Sequence, residues 1–346
     1  MMKRLLHNPL TLAFHFALTL MLIGAIITHY DGDSAMLSLR VGENSNMAVR
    51  EDGRVMDLPF SVKLNKFSVE TYEDGKTHKH KNYISHITIF FLENSGKKTA
   101  RDAKVAMNYP YHVASIMGLG CIGAEYSLLQ MSYDSDLNGT TLLVQHDPWG
   151  IGITFCGYYI LLAACLFMFV RYCHKQRHNK TYWTCLGIAF LGASAYVISK
   201  LFSSSTPLMP VLRSPYLVVH VAIIIMAYML MICMMIISLK ALFSKSPTIG
   251  GNRTNLLLPT VLFLTAGIFI GAIWANDSWG RYWGWDPKET WALVTLIVYS
   301  LPLHRHSLRL FRHPRFYHLY IILAILSVII TYFGVNYLIG GLHSYA

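Results

Sequence analysis

Residues 274–291 of this chain read Trp274-Ala-Asn-Asp-Ser-Trp-Gly-Arg-Tyr-Trp-Gly-Trp-Asp-Pro-Lys-Glu-Thr-Trp291 and hold five of its seven tryptophans. Tryptophan and tyrosine are common at membrane interfaces, where an apolar ring and a polar N–H or O–H both find partners. Interfacial aromatic residues usually form a belt that is spread over several helix ends. Here, by contrast, the aromatic residues share one stretch with two glycines, two aspartates and a proline. Aromatic faces and close backbone approach suit a large planar ligand. The stretch predicts a binding loop, with a simple interfacial belt as the alternative.

Apolar runs lie on both sides of this loop and recur along the chain. The composition is 54% hydrophobic and only 14% charged, whereas a soluble domain carries nearer a quarter of charged residues. Runs of about twenty apolar residues are long enough to span a bilayer. The sequence therefore predicts a polytopic α-helical membrane protein with about seven transmembrane helices. The runs cover approximately 9–28, 151–170, 182–202, 216–239, 256–275, 290–304 and 316–338, the sixth being short.

The distribution of lysine and arginine predicts the orientation, because positively charged loops stay on the cytoplasmic side. Seven alternating helices place four basic regions on one side of the cytoplasmic membrane. The N-terminus is therefore predicted on the inner, cytoplasmic side and the C-terminus on the outer side. The net charge of +11 follows from this topology, and no nucleic-acid partner is predicted. The basic residues are Lys3, Arg4, Arg171, Lys175, Arg177, Lys180, Lys240, Lys245, Arg253, Arg305, Arg309, Arg312 and Arg315.

Residues from about 29 to 150 form the one large polar segment, which this topology places outside. Two stretches, 60–66 and 84–91, alternate or favour β-branched residues, as strands do. Turn patterns at 51–54 and 93–97 separate the strands. A small β-rich extracytoplasmic domain between helices 1 and 2 is predicted.

The tryptophan-rich loop resembles the "WWD" signature, WGxYWxWDPKET, of the haem-handling membrane proteins of cytochrome c maturation. It is most similar to the CcsA/ResC branch, and a match over about a dozen positions is far more specific than a lone glycine motif. The N-terminal part resembles a shortened CcsB/ResB module in residues 58–60, Leu-Pro-Phe, and 147–150, Asp-Pro-Trp-Gly.

The whole chain is similar to a compact fused CcsBA-type (system II) cytochrome c synthase. The resemblance implies a CcsB-like part over residues 1–172 and a CcsA-like haem-handling part over 173–346. Larger fused members have several helices before the outer domain where this chain has one. The identity of an N-terminal haem ligand is therefore open.

The predicted topology shows which of the sixteen histidines lie near the tryptophan-rich loop and are candidate ligands. His220 lies about one turn inside the outer end of the fourth helix and His343 just beyond the outer end of the seventh. Two imidazoles satisfy both axial positions of haem iron, and the resemblance implies that these two flank the tryptophan loop as ligands. Alternatively, each is a histidine merely exposed at a helix end.

The resemblance also implies an inner pair of haem ligands, which we assign to His304 and His15. His304 follows the sixth helix near its inner end, and His15 lies about halfway along the first. An ionisable group in an apolar span is a functional candidate. A histidine there can equally serve as a hydrogen bonder in helix packing.

Within the loop, the resemblance and the aromatic character point to a porphyrin-binding surface. Pro287 fits a first helical position and Glu289 the positive end of a helix dipole, so Glu289 and Asp286 alternatively orient the loop without touching haem. Lys288 and Arg281 are candidate partners for the haem propionates. The predicted haem-contacting residues are Trp279, Tyr282, Trp283, Trp285 and Asp286.

Six cysteines occur, but no CxxC or CxxCH motif is present. Covalent haem attachment to the chain itself is therefore not expected, and thiol reduction would require an external thiol-reducing protein. The resemblance implies that the protein binds haem b as a substrate, exports it and presents it for thioether attachment to apocytochrome c CxxCH motifs. A protein with that activity would be a holocytochrome c synthase. The alternatives are a non-enzymatic haem-delivery protein serving a chaperone, and an unrelated polytopic transporter or sensor.

Overall fold

The computed structural model describes residues 9–71, 80–92, 98–113, 125–202, 210–244 and 256–339. Seven α-helices and eight β-strands lie in these ranges. The helices are α1 (Pro9–Asp31), α2 (Gly150–Lys175), α3 (Lys180–Phe202), α4 (Pro215–Leu242), α5 (Leu257–Trp279), α6 (Pro287–Ser300) and α7 (Pro314–Ile329). The strands are β1 (Asp33–Arg40), β2 (Asn44–Val49), β3 (Val55–Thr71), β4 (His80–Leu92), β5 (Lys98–Ala106), β6 (Tyr111–Val113), β7 (Tyr126–Tyr133) and β8 (Gly139–His146).

The eight strands form one antiparallel sheet between α1 and α2, in the order β5-β4-β3-β2-β1-β8-β7-β6. Alternate residues of β3 are buried over its first ten positions, as expected for a strand with one face on a core. The sheet is curled, so that β4 contacts β7 and β8 although these strands are not its neighbours in the sheet. The Ser85 hydroxyl of β4 lies 2.6 Å from Gln130 Oε1 of β7 and 3.0 Å from Thr140 Oγ1 of β8. The predicted β-rich region between helices 1 and 2 is confirmed.

Six helices are long and apolar enough to cross a membrane in the described part of the chain, with α7 counted together with its extension to Tyr337. This confirms a polytopic membrane protein. The helix α6 has 14 residues, which is about 21 Å of helix against a hydrocarbon thickness of about 30 Å. A 3₁₀ turn, Leu301–His304, extends it.

The centre of the bundle is α5. In its apolar 18-residue segment 72% of the residues are buried, against 11% in the corresponding segment of α1. On one side α5 packs on α4, and on another its aromatic rings contact α2. The ring centroids of Tyr158 and Phe269 are 5.2 Å apart, and those of Phe169 and Phe263 are 4.9 Å apart. The helix α7 continues as a ten-residue π-helix, Ile330–Ile339.

The sheet contacts one end of the bundle, which we call the sheet end; the other is the opposite end. Asn108, in the β5–β6 connection, is hydrogen-bonded to Ser278 in the last turn of α5 and to the carbonyl of Pro210. Leu129 of β7 and Leu143 of β8 lie against Gly280, directly after α5. The tryptophan-rich loop, residues 274–291, therefore lies where the sheet meets the helices.

Candidate functional site

A cavity of about 420 Å³ lies at the sheet end between the helices and the tryptophan-rich loop. Its volume falls within the range of about 300–1,000 Å³ that is typical of small-molecule sites. The wall is mostly apolar and aromatic, with few polar groups. Its contributors include Tyr196 of α3, His220 of α4, Trp274 of α5, Trp283 of the loop, Lys288 of α6 and Tyr332 of the π-helix.

His220 lies in the second turn of α4, and its half-buried side chain forms part of the cavity wall. Its Nδ1 lies 2.7 Å from the carbonyl oxygen of Gly267 on α5. Because a carbonyl can only accept, Nδ1 carries the proton in this bond, and Nε2 keeps its lone pair in the neutral ring. Metal-binding histidines commonly use one ring nitrogen in this way while the other binds the metal. The tautomer and orientation of His220 thus suit a metal ligand.

Close packing of α4 on α5 holds this histidine. A Cβ atom at Gly271 would lie 2.6 Å from His220 Nδ1, and one at Gly267 would lie 2.6 Å from Ile224 Cδ1. Glycines four residues apart share one helix face and let a neighbouring helix approach. These two glycines were not among the predicted site residues, although the Gly-x-x-x-Gly spacing that reveals them is visible in the sequence.

Residues 274–279 of the tryptophan-rich loop are the last turns of α5, and its non-helical part begins at Gly280, which ends that helix. Gly280 has a left-handed φ of 72° and its N–H donates to the carbonyl of Asn276 over 2.9 Å, an arrangement that glycine adopts without strain. The chain then turns back so that Tyr282 and Trp283 face the cavity. The predicted binding residues Tyr282 and Trp283 of the loop and His220 of α4 are therefore brought together from two segments distant in sequence.

Trp279 and Trp285 are placed differently. Trp279 is not among the described residues that line the cavity. Its ring contacts that of Trp274 edge to face, with the ring centroids 6.3 Å apart. Trp285 is 70% exposed with a φ of 54°, a conformation that is strained for a bulky residue. Its ring contacts Trp283 edge to face at 5.9 Å. Contact of either ring with haem stays a prediction.

Asp286 begins α6 as its N-cap. Its carboxylate accepts from the Lys288 N–H over 2.9 Å, and Pro287 occupies the first helical turn. Glu289 completes a capping box, accepting from the N–H of Asp286 over 3.3 Å and from that of Gly284 over 2.8 Å. The predicted helix start is confirmed, and both carboxylates fix the shape of the loop. A direct role of Asp286 in haem binding stays a prediction.

Lys288 supplies a cationic group to the cavity wall. Its Nζ donates to Asn336 Oδ1 over 2.8 Å and so ties α6 to the π-helix. Thr295 and Thr331 make a second link between the same elements, with hydroxyl oxygens 3.0 Å apart. Irregular π-helical segments are frequent at functional sites. Arg281, by contrast, is exposed on the loop.

Two of the other predicted ligands, His304 and His15, are not among the described residues that line this cavity. His304 is exposed at the opposite end, with Nδ1 3.1 Å from the Ser300 carbonyl oxygen. His15 is exposed on α1, with Nδ1 2.8 Å from the Thr11 carbonyl oxygen. His343 lies outside the described residues. The roles of all three stay predictions.

A fully buried histidine, His318 of α7, was not among the predicted site residues. Its Nδ1 lies 3.2 Å from Ser238 Oγ of α4. This contact joins two helices in the half of the bundle nearer the opposite end, far along α4 from His220. The bond gives His318 a packing role of the kind that polar side chains have between membrane helices.

A model of the cytochrome c assembly protein family matches residues 153–343, which is more than half of the chain. The chain belongs to the cytochrome c assembly protein family. A second model, of the ResB-like family, matches residues 6–117. The chain thus combines a ResB-like region with an assembly region, as fused CcsB–CcsA-type cytochrome c biogenesis proteins do. The whole cavity belongs to the assembly region.

Three curated relatives illustrate the likeness. Protein NrfI of Wolinella succinogenes is 38% identical over 46% of this chain and 19% of its own length. The cytochrome c biogenesis protein CcsA of Synechococcus sp. (strain CC9902) is 33% identical, over 47% of this chain and 66% of its own length. That of Solanum lycopersicum is also 33% identical, over 44% and 62%. The chain spans less than two thirds of each of these relatives.

Gly280 offers a test of the contact between the sheet and the assembly region. Replacing it by alanine should lower the apparent melting temperature of the purified protein by a few degrees, since a Cβ would lie 2.6 Å from Leu143 Cδ2 and a left-handed backbone costs a non-glycine residue about 1–2 kcal/mol. Thermal unfolding in detergent measures the change. Gly53→Ala is the matched control, because Gly53 also has a positive φ, of 82°, but a Cβ there meets nothing within 4 Å. Equal melting temperatures for the two variants would contradict the contact.

Proposed function

We propose that this protein acts in cytochrome c maturation by binding haem b and presenting it at the sheet end for attachment to apocytochrome c. The observation that carries the proposal is the position of His220. It stands in the wall of an aromatic cavity, with Nδ1 directed to the Gly267 carbonyl, and its Nε2 is the atom that would bind haem iron.

The groups around His220 fit the rest of a haem molecule. Trp283 and Tyr282 give the apolar and aromatic wall that a porphyrin needs, and Lys288 offers a cation for a propionate. We assign the second axial position to His343, which follows the π-helix by four residues. Two imidazoles would then hold the iron.

The proposed topology places this site toward the outer face of the cytoplasmic membrane. Seven spans, with α6 as the short sixth, put the arginine- and lysine-rich connections at the opposite end, which favours that end as the cytoplasmic one. The sheet then lies outside, with the C-terminus, and the lipid bilayer surrounds the helices. We place the boundary between the CcsB-like and CcsA-like parts near residue 172.

The chemistry proposed is thioether formation. Each CxxCH thiol of apocytochrome c adds across one haem vinyl group: a sulfur–carbon bond forms, and the thiol hydrogen passes to the other vinyl carbon, without an oxidant. His220 and the loop would hold haem in place and orient it, while water is excluded by the aromatic wall. An external thiol-reducing protein would keep the substrate cysteines reduced.

Delivery of haem to this site is proposed to begin at the opposite end. His304, exposed there after α6, and His15 of α1 are the assigned inner ligands. An export role would require haem to move from this pair to His220.

Ligation by the purified chain tests the proposed activity. The detergent-purified protein is loaded with haem, reduced, and mixed with an apocytochrome c peptide containing CxxCH; a matched peptide has alanine at both cysteines. Haem that stays with the first peptide alone after denaturation is the expected result. Bound haem without covalent product would instead support haem delivery, and a chain that binds no haem would overturn the proposal.

A further inference from the structure

The Asn108 side chain is hydrogen-bonded both to the tryptophan-rich loop and to the segment leading into α4. It belongs to the ResB-like region and lies in the two-residue turn between Ala106 and Tyr109, whose backbones are paired. Its φ of 64° is a left-handed conformation that asparagine tolerates better than most residues. The turn thereby directs a polar side chain at the helix bundle.

Both polar atoms of the Asn108 side-chain amide make hydrogen bonds. Nδ2 lies 2.9 Å from the Pro210 carbonyl oxygen, which can only accept, so this contact fixes the amide orientation. Oδ1 then accepts from the Ser278 hydroxyl over 2.6 Å. Asn108 is 8% exposed and Ser278 is 3% exposed, so water does not replace either bond freely.

The two partners belong to the two segments that form the candidate site. Ser278 is in the last turn of α5 and begins the exit into Gly280 and Trp283. Pro210 begins the 3₁₀ turn Pro210–Arg213, which leads directly into α4 and His220. One asparagine therefore joins the start of the tryptophan-rich loop to the start of the helix that carries the proposed iron ligand.

We infer that Asn108 is a positioning residue, which sets the tryptophan-rich loop relative to His220 and thereby makes haem binding depend on the ResB-like region. This inference rests on the function proposed above. Because a buried amide with two bonds ties the tryptophan-rich loop to the Pro210–Arg213 turn, its loss loosens that link, while α4 stays packed on α5 at Gly267 and Gly271.

The variant Asn108→Gly removes both hydrogen bonds and keeps a residue that accepts the positive φ. The matched control is Asn65→Ala, which removes a side-chain bond to Thr88 inside the sheet without touching the helices. Each full-length protein is purified with haem, and its reduced absorption spectrum, haem dissociation rate and melting temperature are measured. Cytochrome c yield is measured in a strain that depends on the chain.

The expected result for Asn108→Gly is haem loss that is faster by roughly ten-fold, with weakened low-spin bands, in a protein that still accumulates like the control. Ser278→Ala should have a smaller effect, and the double variant should be no worse than Asn108→Gly alone. Ser278→Ala also serves as the decisive variant if Asn108→Gly does not accumulate, with faster haem loss and weakened low-spin bands expected to a smaller extent.

Wild-type haem dissociation and spectra in both Asn108→Gly and Ser278→Ala would overturn the inference and leave the proposed function intact. Additive effects in the double variant would overturn it as well, since the two residues would then act separately. Failure of the wild-type chain to bind haem would instead overturn the proposed function, together with this inference.

Discussion

Replacing His220 by alanine is expected to abolish the low-spin haem spectrum of the purified protein and to lower cytochrome c formation by roughly 100-fold. The substitution removes the Nε2 atom proposed to bind iron and also the bond from Nδ1 to the Gly267 carbonyl. An absorption spectrum of the reduced protein, with holocytochrome c measured by haem stain, records both losses.

His178→Ala is the control for this experiment. His178 is exposed in the turn between α2 and α3 at the opposite end, where its Nε2 accepts from Arg177 Nε over 2.9 Å. Its replacement should leave haem content and cytochrome c formation unchanged. A His220→Ala protein with the wild-type spectrum would remove His220 from the ligand assignment.

Replacing Trp283 by alanine should speed haem loss by roughly ten-fold while membrane insertion and protein amount stay unchanged. Its half-buried ring lines the cavity and forms an edge-to-face contact with Trp285, so the change removes aromatic surface from the proposed binding wall. Transfer of haem to an excess of apomyoglobin measures the rate.

Trp183→Ala is a matched control, because Trp183 lies near the opposite end and its Nε1 donates to the Gln176 carbonyl over 3.1 Å. Its loss should not change haem transfer. Equal haem transfer from the Trp283→Ala and wild-type proteins would mean that the aromatic residues of the loop form only an interfacial belt.

Helix positions and the strand character of the polar segment were predictable because they depend on local patterns. The apolar run 151–170 became α2, Gly150–Lys175, and the alternating stretch at 60–66 lies within β3, Val55–Thr71. The start of α6 was predicted from Asp286, Pro287 and Glu289, since capping uses side chains only a few residues apart. In each case the determining contacts lie within one segment.

The contacts that build the candidate site were less predictable because they join distant segments. Proximity of His220 to Trp283 could be expected from topology, but the bond of His220 to the Gly267 carbonyl depends on how α4 packs against α5. Asn108 was missed entirely, since an asparagine in a turn is usually explained by its backbone conformation. Its partner Ser278 is 170 residues away in sequence, and no local sequence pattern predicts a contact over such a separation.

The same separation orders events during biosynthesis. Asn108 leaves the ribosome 170 residues before Ser278, which at about 5–20 residues per second is an interval of roughly 9–34 s. Domains rich in non-local β pairings fold in milliseconds to seconds, so the strands have time to pair before the end of α5 is synthesised. The nascent loop with Gly280 and Trp283 therefore meets a surface that already exists, and the ResB-like region serves as a template on which the last part of the site is assembled.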